Sequence, residues 1–422
     1  MMEALLHYVW KHKLYDSIKL YTVDGTGFEI IDTGIHNTQA GPDFFNAKIK
    51  IGDKIWAGNI EIHTNSSDWY KHQHDKDKSY NSVILHVVES CDKEISDESG
   101  RNIPQWIMEI PERIKQNYLS LQEKDSSIPC LSKVRDLSEI YLTDWKNALV
   151  TERLERKTNT IFQLLEDHNN DWNEVFYITL ARNFGFGVNN DSFERLAKSL
   201  PLKYILKHQD SEQQVEALFF GQAGMLEDEL LYDDYYSTLQ REYRFLQNKY
   251  QLESLESHVF KNLRMRPNNL PHVKVAQLAS LIRHSQSLFS KVLTASTIDE
   301  FNSLFNVNLG SYWSTHYQFG KESVKNSKKL GMSAIHILLI NTVVPILFAY
   351  GKKKGQEIYM ERAIQLLESI KSEKNFIITL FERSGMKVHH AADSQALIQL
   401  KREYCEQKKC IFCRIGHKLL SK

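Results

Sequence analysis

Over the first quarter of the chain apolar residues either alternate with polar ones or run in short blocks, and Gly25-Thr26-Gly27, Gly52-Asp53 and Ser99-Gly100-Arg101-Asn102 divide the blocks. Alternation at a period of two sorts side chains onto the two faces of a strand, so residues 20–111 predict a sheet. FFNAKIKI at 44–51 and IWAGNIEIHT at 55–64, separated by Gly52-Asp53, read as a β-hairpin. SVILHVVE at 82–89 is apolar almost throughout and reads as a buried strand with His86 inside it. Residues 2–12, ahead of the strands, form an amphipathic helical opening. After Leu131 the period changes. Residues 137–162, 172–184, 213–224 and 237–250 carry apolar positions three to four apart with charges between them, the grammar of helices with one buried stripe. Asp136-Leu137-Ser138-Glu139 has the form of a helix start. The expected architecture is α+β: an α/β domain over 1–130, a large all-α region over 131–400, and a short Cys/His-rich module over 401–422.

A chain of 422 residues has ample material for a sizeable core and two to three domains. Its 42% hydrophobic and 25% charged residues are those of a soluble globular protein. With 53 basic and 53 acidic residues the formal net charge is zero, so any surface for a polyanion must be local. The most apolar stretch, 335–350, is interrupted by His336, Asn341 and Pro345 and falls short of the roughly 20 residues a bilayer requires. It predicts a buried core helix, and no membrane partner. The opening MMEALLHYVWKHK has no long apolar run with a small-residue cleavage site, so no signal peptide is expected. Five cysteines, Cys91 and Cys130 isolated and three others clustered near the end, are not a disulfide framework and point to the cytoplasm.

The candidate chemistry begins at Asp43, which follows Pro42 at the entrance of the first hairpin strand; Glu61-Ile62-His63 lies on the second. Glu61 and His63 share one strand face while Ile60 and Ile62 turn to the other. Two carboxylates on adjacent strands make a hard oxygen site of the kind that Mg²⁺ or Mn²⁺ prefers. Pro42-Asp43 and Glu61-Ile62-His63 resemble the core motif of the PD-(D/E)xK phosphodiesterase superfamily, which includes restriction endonucleases. The resemblance implies a restriction-endonuclease-like domain with a mixed sheet, metal ligation by Asp43 and Glu61, and help from an acidic residue in the preceding helix, for which Glu3 is the candidate. The usual third signature residue, Lys, is His63 here. A His can orient or deprotonate water, but it lacks a permanent positive charge. His72-x-His74-x-x-Asp77 is similar to the H-x-H-x-D-H motif of metallo-β-lactamase-type hydrolases, with the Asp one place late. That similarity makes His72, His74 and Asp77, with His86, auxiliary candidates and the centre of an alternative, a metal-dependent small-molecule hydrolase.

The end of the chain holds a second signal. Cys405-x4-Cys410-x2-Cys413-x3-His417 offers three thiolates and an imidazole, enough for a tetrahedral Zn²⁺ site, with an iron–sulfur cluster as the alternative and His389 or His390 as substitutes for His417. Residues 401–422 carry seven basic against two acidic residues. Lys401, Arg402, Lys408, Lys409 and Arg414, together with Arg264 and Arg266 of the RMRPNNL stretch, are the expected nucleic-acid contacts. Over nearly its whole length the chain also resembles a family of uncharacterised bacterial proteins, in LYTVDG at 20–25, in 41–63, 68–74, 83–88 and 264–270, and in the cysteine-bearing tail. The expected function is that of a divalent-metal-dependent nuclease acting on DNA or RNA. The alternative from another class is a nucleic-acid or protein-binding scaffold that keeps such a fold without its chemistry.

Overall fold

The computed structural model describes residues 2–15, 19–122, 128–231, 233–284 and 287–421. It is an α+β protein whose chain divides into two compact units. The first contains the residues up to Leu142, Arg383–Met386 and the residues from Leu400 onward; the second contains Thr143–Glu382 and Lys387–Gln399.

In the first unit α1 (Met2–Lys11) precedes seven strands, β1 (Leu20–Tyr21), β2 (Gly27–Asp32), β3 (Ile35–His36), β4 (Phe44–Ile51), β5 (Lys54–Asn65), β6 (Val83–Ser90) and β7 (Gln105–Ile107). They form one sheet in the order β1-β2-β4-β5-β6-β7, with β3 pairing onto β4. The pairs from β1 to β5 are antiparallel, whereas β5 with β6 and β6 with β7 are parallel, so the sheet is mixed. The predicted hairpin turns at Gly52, whose φ of 57° only glycine adopts at little cost, and Ile51 pairs with Lys54 across it. At the far end of the hairpin a bulge at Asn46, φ 57°, shifts the register between Phe44 and Ala47, and the Asn59 side chain accepts a hydrogen bond from the Asn46 amide at 3.2 Å. Such bulges bend a strand and re-aim the side chains beside them. Here the neighbour is Asp43.

The burial of β5 changes along its length. Lys54 to Ala57 are exposed, while Ile60, Glu61, Ile62 and His63 are all buried. Ile60 and Ile62 belong to the apolar core as their period predicts, but the Glu61/His63 face is covered as well. The β5–β6 connection covers it: α2 (Asp68–Lys71) and the turns after it bring Trp69 and Tyr80, packed with Val83, Ile95 and Ile103, against the histidines. The second half of β5 is therefore closed on both faces, and what it encloses on one side is polar.

The residues from Leu400 do not stand apart as a terminal module. The 3₁₀ turn Cys410–Phe412 and the helix Arg414–Leu420 pack on α3 (Glu112–Gln122) of the same unit, and the π-helical turn Leu400–Cys405 packs on the 3₁₀ turn. Asn117 donates to the Leu419 carbonyl at 3.3 Å and Gln122 to that of Lys408 at 3.2 Å.

Among the described residues the second unit is helical, as the change of period predicts, apart from the two short strands His316–Gln318 and Lys321–Glu322. Helices Trp172–Phe184, Glu212–Gln222 and Asp234–Tyr250 fall where the apolar stripes placed them. The helical run Met332–Lys354 is long and apolar enough to cross a bilayer, yet 67% of its apolar window is buried within the protein, consistent with a core helix. Trp313 and Phe319 are core residues, Trp313 stacking on Phe220 at 5.1 Å between ring centres.

Candidate metal centre at the strand ends

The geometry of the site starts with the hairpin. Phe44 pairs with Ile60, so the next residues outward, Asp43 and Glu61, meet at the ends of adjacent strands. The Asp43 amide donates to Glu61 Oε2 at 3.1 Å, and the Ile62 amide donates to Asp43 Oδ2 at 2.9 Å. Two carboxylates are thus locked together by backbone donors. From α1, His7 Nε2 stands 3.3 Å from Asp43 Oδ2, and Glu3, one helical turn earlier, lies within electrostatic reach of both His7 and Glu61.

The other Glu61 oxygen faces imidazoles. Oε1 is 3.2 Å from His74 Nε2 and 3.5 Å from His63 Nε2. His63 Nε2 is in turn 3.1 Å from His72 Nδ1, and its Nδ1 is 2.9 Å from His86 Nε2. Donor nitrogens of His63, His72 and His74 all lie within 4.8 Å of one another. Aromatic packing holds the rings: His74 stacks on Tyr80 at 3.8 Å and on His63 at 5.4 Å, and Trp69 meets the edges of His74 and His86. These contacts bring the histidine loop onto β5.

Burial makes this arrangement electrostatically unsettled. Burial first, and then the charge of Asp43, pushes the Glu61 carboxyl up to about 9, the Asp43 amide opposing weakly. His63 is driven down to about 2 by burial and by His86, His74 and His72, and burial lowers His86 to about 4 although Gln105 beside it works in the opposite direction. His74 is lowered, again chiefly by burial, and its Nε2 is buried with no hydrogen-bond partner despite the nearby Glu61 oxygen. Burial also works against the charged form of His7, but contact with Asp43, then the charge of Glu3, outweighs it and raises the group above its ordinary value. Neutral imidazole nitrogens converging on a buried carboxylate fit a divalent cation. Inserting one would let Glu61 ionise and would give the orphaned nitrogen its partner.

Among the sequence candidates, Asp43, Glu61, His63, His72 and His74 come together, His86 braces His63, and Glu3 lies nearby. Asp77 does not join them: its carboxylate accepts from the Ser79 amide at 2.9 Å and hydroxyl at 2.8 Å, capping a 3₁₀ turn. His7 was missed, although its place four residues after Glu3 on an amphipathic helix puts both on one face. Beside the carboxylates a groove of about 330 Å³ is lined by His7, Lys11, His12, His36, Arg414 and His417 among others. Burial, His417 and Lys11 push His12 down to about 4, and burial, His7 and Lys11 lower His36 against the opposing charge of Asp43.

The predicted tail sites change in detail. His417 does not turn to the cysteines: its Nδ1 pairs with the Tyr8 hydroxyl at 2.7 Å and its ring packs on His12. His389 and His390 belong to the second unit, where His390 bridges to Lys371 and the His389 amide binds Asp393. Lys401 is buried, with Nζ 3.4 Å from Glu406, which removes it from the expected phosphate surface. Arg402, Lys409 and Arg414 are exposed, Lys408 is half-buried, and Arg264 and Arg266 are exposed on the second unit.

The fold and this centre define an α+β protein with a buried histidine–carboxylate cluster at the ends of a mixed sheet. The family model described as "Protein of unknown function (DUF2851)" matches residues 3–376, and the chain belongs to that family. No curated protein and no solved structure matches it.

Proposed function

We propose that the protein is a divalent-metal-dependent phosphodiesterase acting on DNA or RNA, built on a nuclease-like unit of the PD-(D/E)xK kind. The observation that carries this reading is the sharing of Glu61 between Asp43 on one side and the imidazoles of His63 and His74 on the other. Glu61, His63 and His74, with His72 or Asp43 completing the set, would hold the cation. Imidazole-rich donor sets suit Mn²⁺ or Zn²⁺ better than Mg²⁺. The bound ion would lower the pKa of a coordinated water and neutralise charge on the phosphate.

The chain's own residues supply the rest. The Ile62 amide fixes Asp43 beside His7, and His7, biased towards its protonated form, is placed to hold a phosphate oxygen or give a proton to a leaving alkoxide. His86 holds the His63 ring through Nδ1, the bracing that metal-ligating histidines characteristically need. Lys11 and Arg414 in the groove suit the flanking phosphates. With no cysteine in a disulfide, we place the protein in the reducing cytoplasm.

The test is cleavage of single- and double-stranded DNA and RNA with Mn²⁺, Zn²⁺, Mg²⁺ or EDTA, comparing wild type with Asp43→Ala and Glu61→Ala. Metal-dependent cleavage lost in both variants supports the proposal. Salt-sensitive binding without cleavage by any metal would replace it with the scaffold reading. Because His72 and His74 enter the same centre, a small-molecule hydrolase is the second reading, and metal-dependent hydrolysis of small phosphoesters with every nucleic acid left intact would favour it.

A further inference from the structure

Ala4, His7, Lys11 and His12 recur three and four residues apart on α1, so they share one face, and that face is one wall of the groove of about 330 Å³ beside the carboxylates. The 3₁₀ turn Cys410–Phe412 and the start of the helix after it supply the other wall, and both walls belong to the first unit. The walls meet where the Tyr8 hydroxyl pairs with His417 Nδ1 at 2.7 Å and the His12 and His417 rings lie 4.5 Å apart between centres. His7, which lines the groove, stands 3.3 Å from Asp43 Oδ2, so the groove adjoins the strand-end centre.

Phe412 lines this groove and is 59% exposed, a large apolar ring left in water. The turn that presents it is fixed. The Phe412 amide donates to the Lys409 carbonyl at 3.1 Å, Gln122 holds the Lys408 carbonyl at 3.2 Å, and Cys410 Sγ donates to the Leu121 carbonyl at 3.6 Å. A Cβ on Gly416 would lie 1.9 Å from the Cys410 carbonyl oxygen, so the following helix is pressed directly onto the turn. The Tyr141 hydroxyl, 2.6 Å from the Arg414 carbonyl, pins the first residue of that helix. Burial, ahead of nearby cations, lowers both His12 and His417 and keeps their rings uncharged. A held phenyl ring beside neutral imidazoles is a stacking platform for a flat aromatic ligand, and any nucleobase offers the π face it needs.

The groove's volume lies at the low end of the range of about 300–1,000 Å³ that small-molecule clefts occupy, room for a nucleotide and too little for a duplex. Its exposed cations are Lys11 and Arg414. We propose that the groove takes one unpaired nucleotide, with its base against Phe412 and the His12–His417 pair and its phosphate at His7, Lys11 and Arg414, so that single-stranded nucleic acid is the substrate class of the strand-end centre. The carboxylates of Asp43 and Glu3 lie by His7, and Lys11, one helical turn beyond it, attracts the phosphates of the strand as it leaves them. For its chemistry this assignment rests on the phosphodiesterase reading; for binding it stands on the groove alone.

The experiment is fluorescence anisotropy of the full-length protein in EDTA with labelled oligothymidylate, oligouridylate and a blunt DNA duplex of the same length. A single strand should bind tighter than the duplex. Phe412→Ala should weaken single-strand binding roughly 5- to 100-fold, the scale of losing one stacked base, and Ala4→Leu, which fills the groove without removing a contact, should weaken it too. Phe376→Ala, which removes a still more exposed phenylalanine of the second unit, should retain it. Lys11→Gln should flatten the dependence of log affinity on log salt by about 0.7, one phosphate contact of a single strand. Duplex bound as tightly as single strand, or full affinity in both Phe412→Ala and Ala4→Leu, overturns the proposal. Mn²⁺-dependent hydrolysis of bis(p-nitrophenyl) phosphate, which has no base to stack as a nucleotide does, reads the chemistry separately. Phe412-dependent single-strand binding without hydrolysis of that diester or of any nucleic acid supports the groove and removes the phosphodiesterase; Glu61-dependent hydrolysis without single-strand preference does the reverse.

Discussion

Each unit buries a glutamate, and the two are solved differently. Glu216 of the second unit is 3% exposed and Glu61 of the first 4%, so desolvation acts on both. Glu216 accepts from Trp313 Nε1 at 3.1 Å and from the Tyr235 hydroxyl, and these donors oppose burial, leaving its carboxyl at about 7. Glu61 accepts one backbone amide, stands beside the charge of Asp43, and otherwise faces imidazole nitrogens that burial keeps neutral; it is pushed to about 9. A buried carboxylate with neutral donors arranged around it is a finished structural contact. One that meets lone pairs and a second carboxylate needs either a proton of its own or a bound cation.

The comparison breaks if both glutamates behave alike. The largest expected effect is on activity: Glu61→Ala should reduce metal-dependent cleavage by about a hundredfold or more, on the scale of losing a group that stabilises the transition state, while Glu216→Gln leaves it unchanged. His63→Lys should abolish activity too, because it places an ammonium among His72, His74 and His86 in a buried site. Next in size is metal binding. At a hundred times its dissociation constant a cation should stabilise wild type by about 2.7 kcal/mol in thermal or urea melts, an increment that Glu61→Gln largely loses and Glu216→Gln keeps. His86→Ala, which removes only the brace behind His63, should weaken metal affinity by about 10- to 100-fold.

The pH dependence of the metal-free protein sharpens the contrast. For His63 and His86 the folded values, about 2 and about 4, lie below the unfolded one, so the unfolded state binds protons first. The stability they contribute is present above the ordinary histidine value of about 6.5 and is lost as the pH falls below it. Glu61 has the opposite sign. Its contribution is present below its ordinary value and is lost as the pH rises through about 9. Melts from pH 4 to 9 should therefore show a loss at both ends, and Mn²⁺ should remove the alkaline loss by holding Glu61 ionised. An alkaline limb unaffected by metal would mean that Glu61 is not a ligand. The smallest effect belongs to the second unit: Trp313→Phe, which strips a donor from Glu216, should cost about 1–3 kcal/mol of stability and leave metal affinity untouched.

Much of this was legible along the chain because it depends on local pairing. The period-two pattern and the Gly52-Asp53 turn specify the hairpin, and a hairpin's register alone carries Asp43 to Glu61, so that carboxylate pair follows from residues eighteen apart. The helical stripes of the second unit are equally local, and they placed its helices closely. His72 and His74 were visible as a polar, histidine-bearing segment, but not their destination: that depends on Trp69 and Tyr80 burying against the sheet, an aromatic choice which periodicity does not encode.

Beyond that range the sequence was silent or misleading. Nothing in the spacing of His417 says that it meets Tyr8, 409 residues earlier, instead of completing the cysteine set. Nor does the charge of Lys401 reveal that Glu406 and the core of the first unit take it from the surface. Local composition determines which elements form and which of their faces are apolar, because those preferences are paid within a turn or a strand pair. Which distant polar groups share a buried volume is decided only when the chain closes, because the cost of desolvating a histidine, thiol or carboxylate, and the partners that offset it, do not exist until the tertiary structure brings them together.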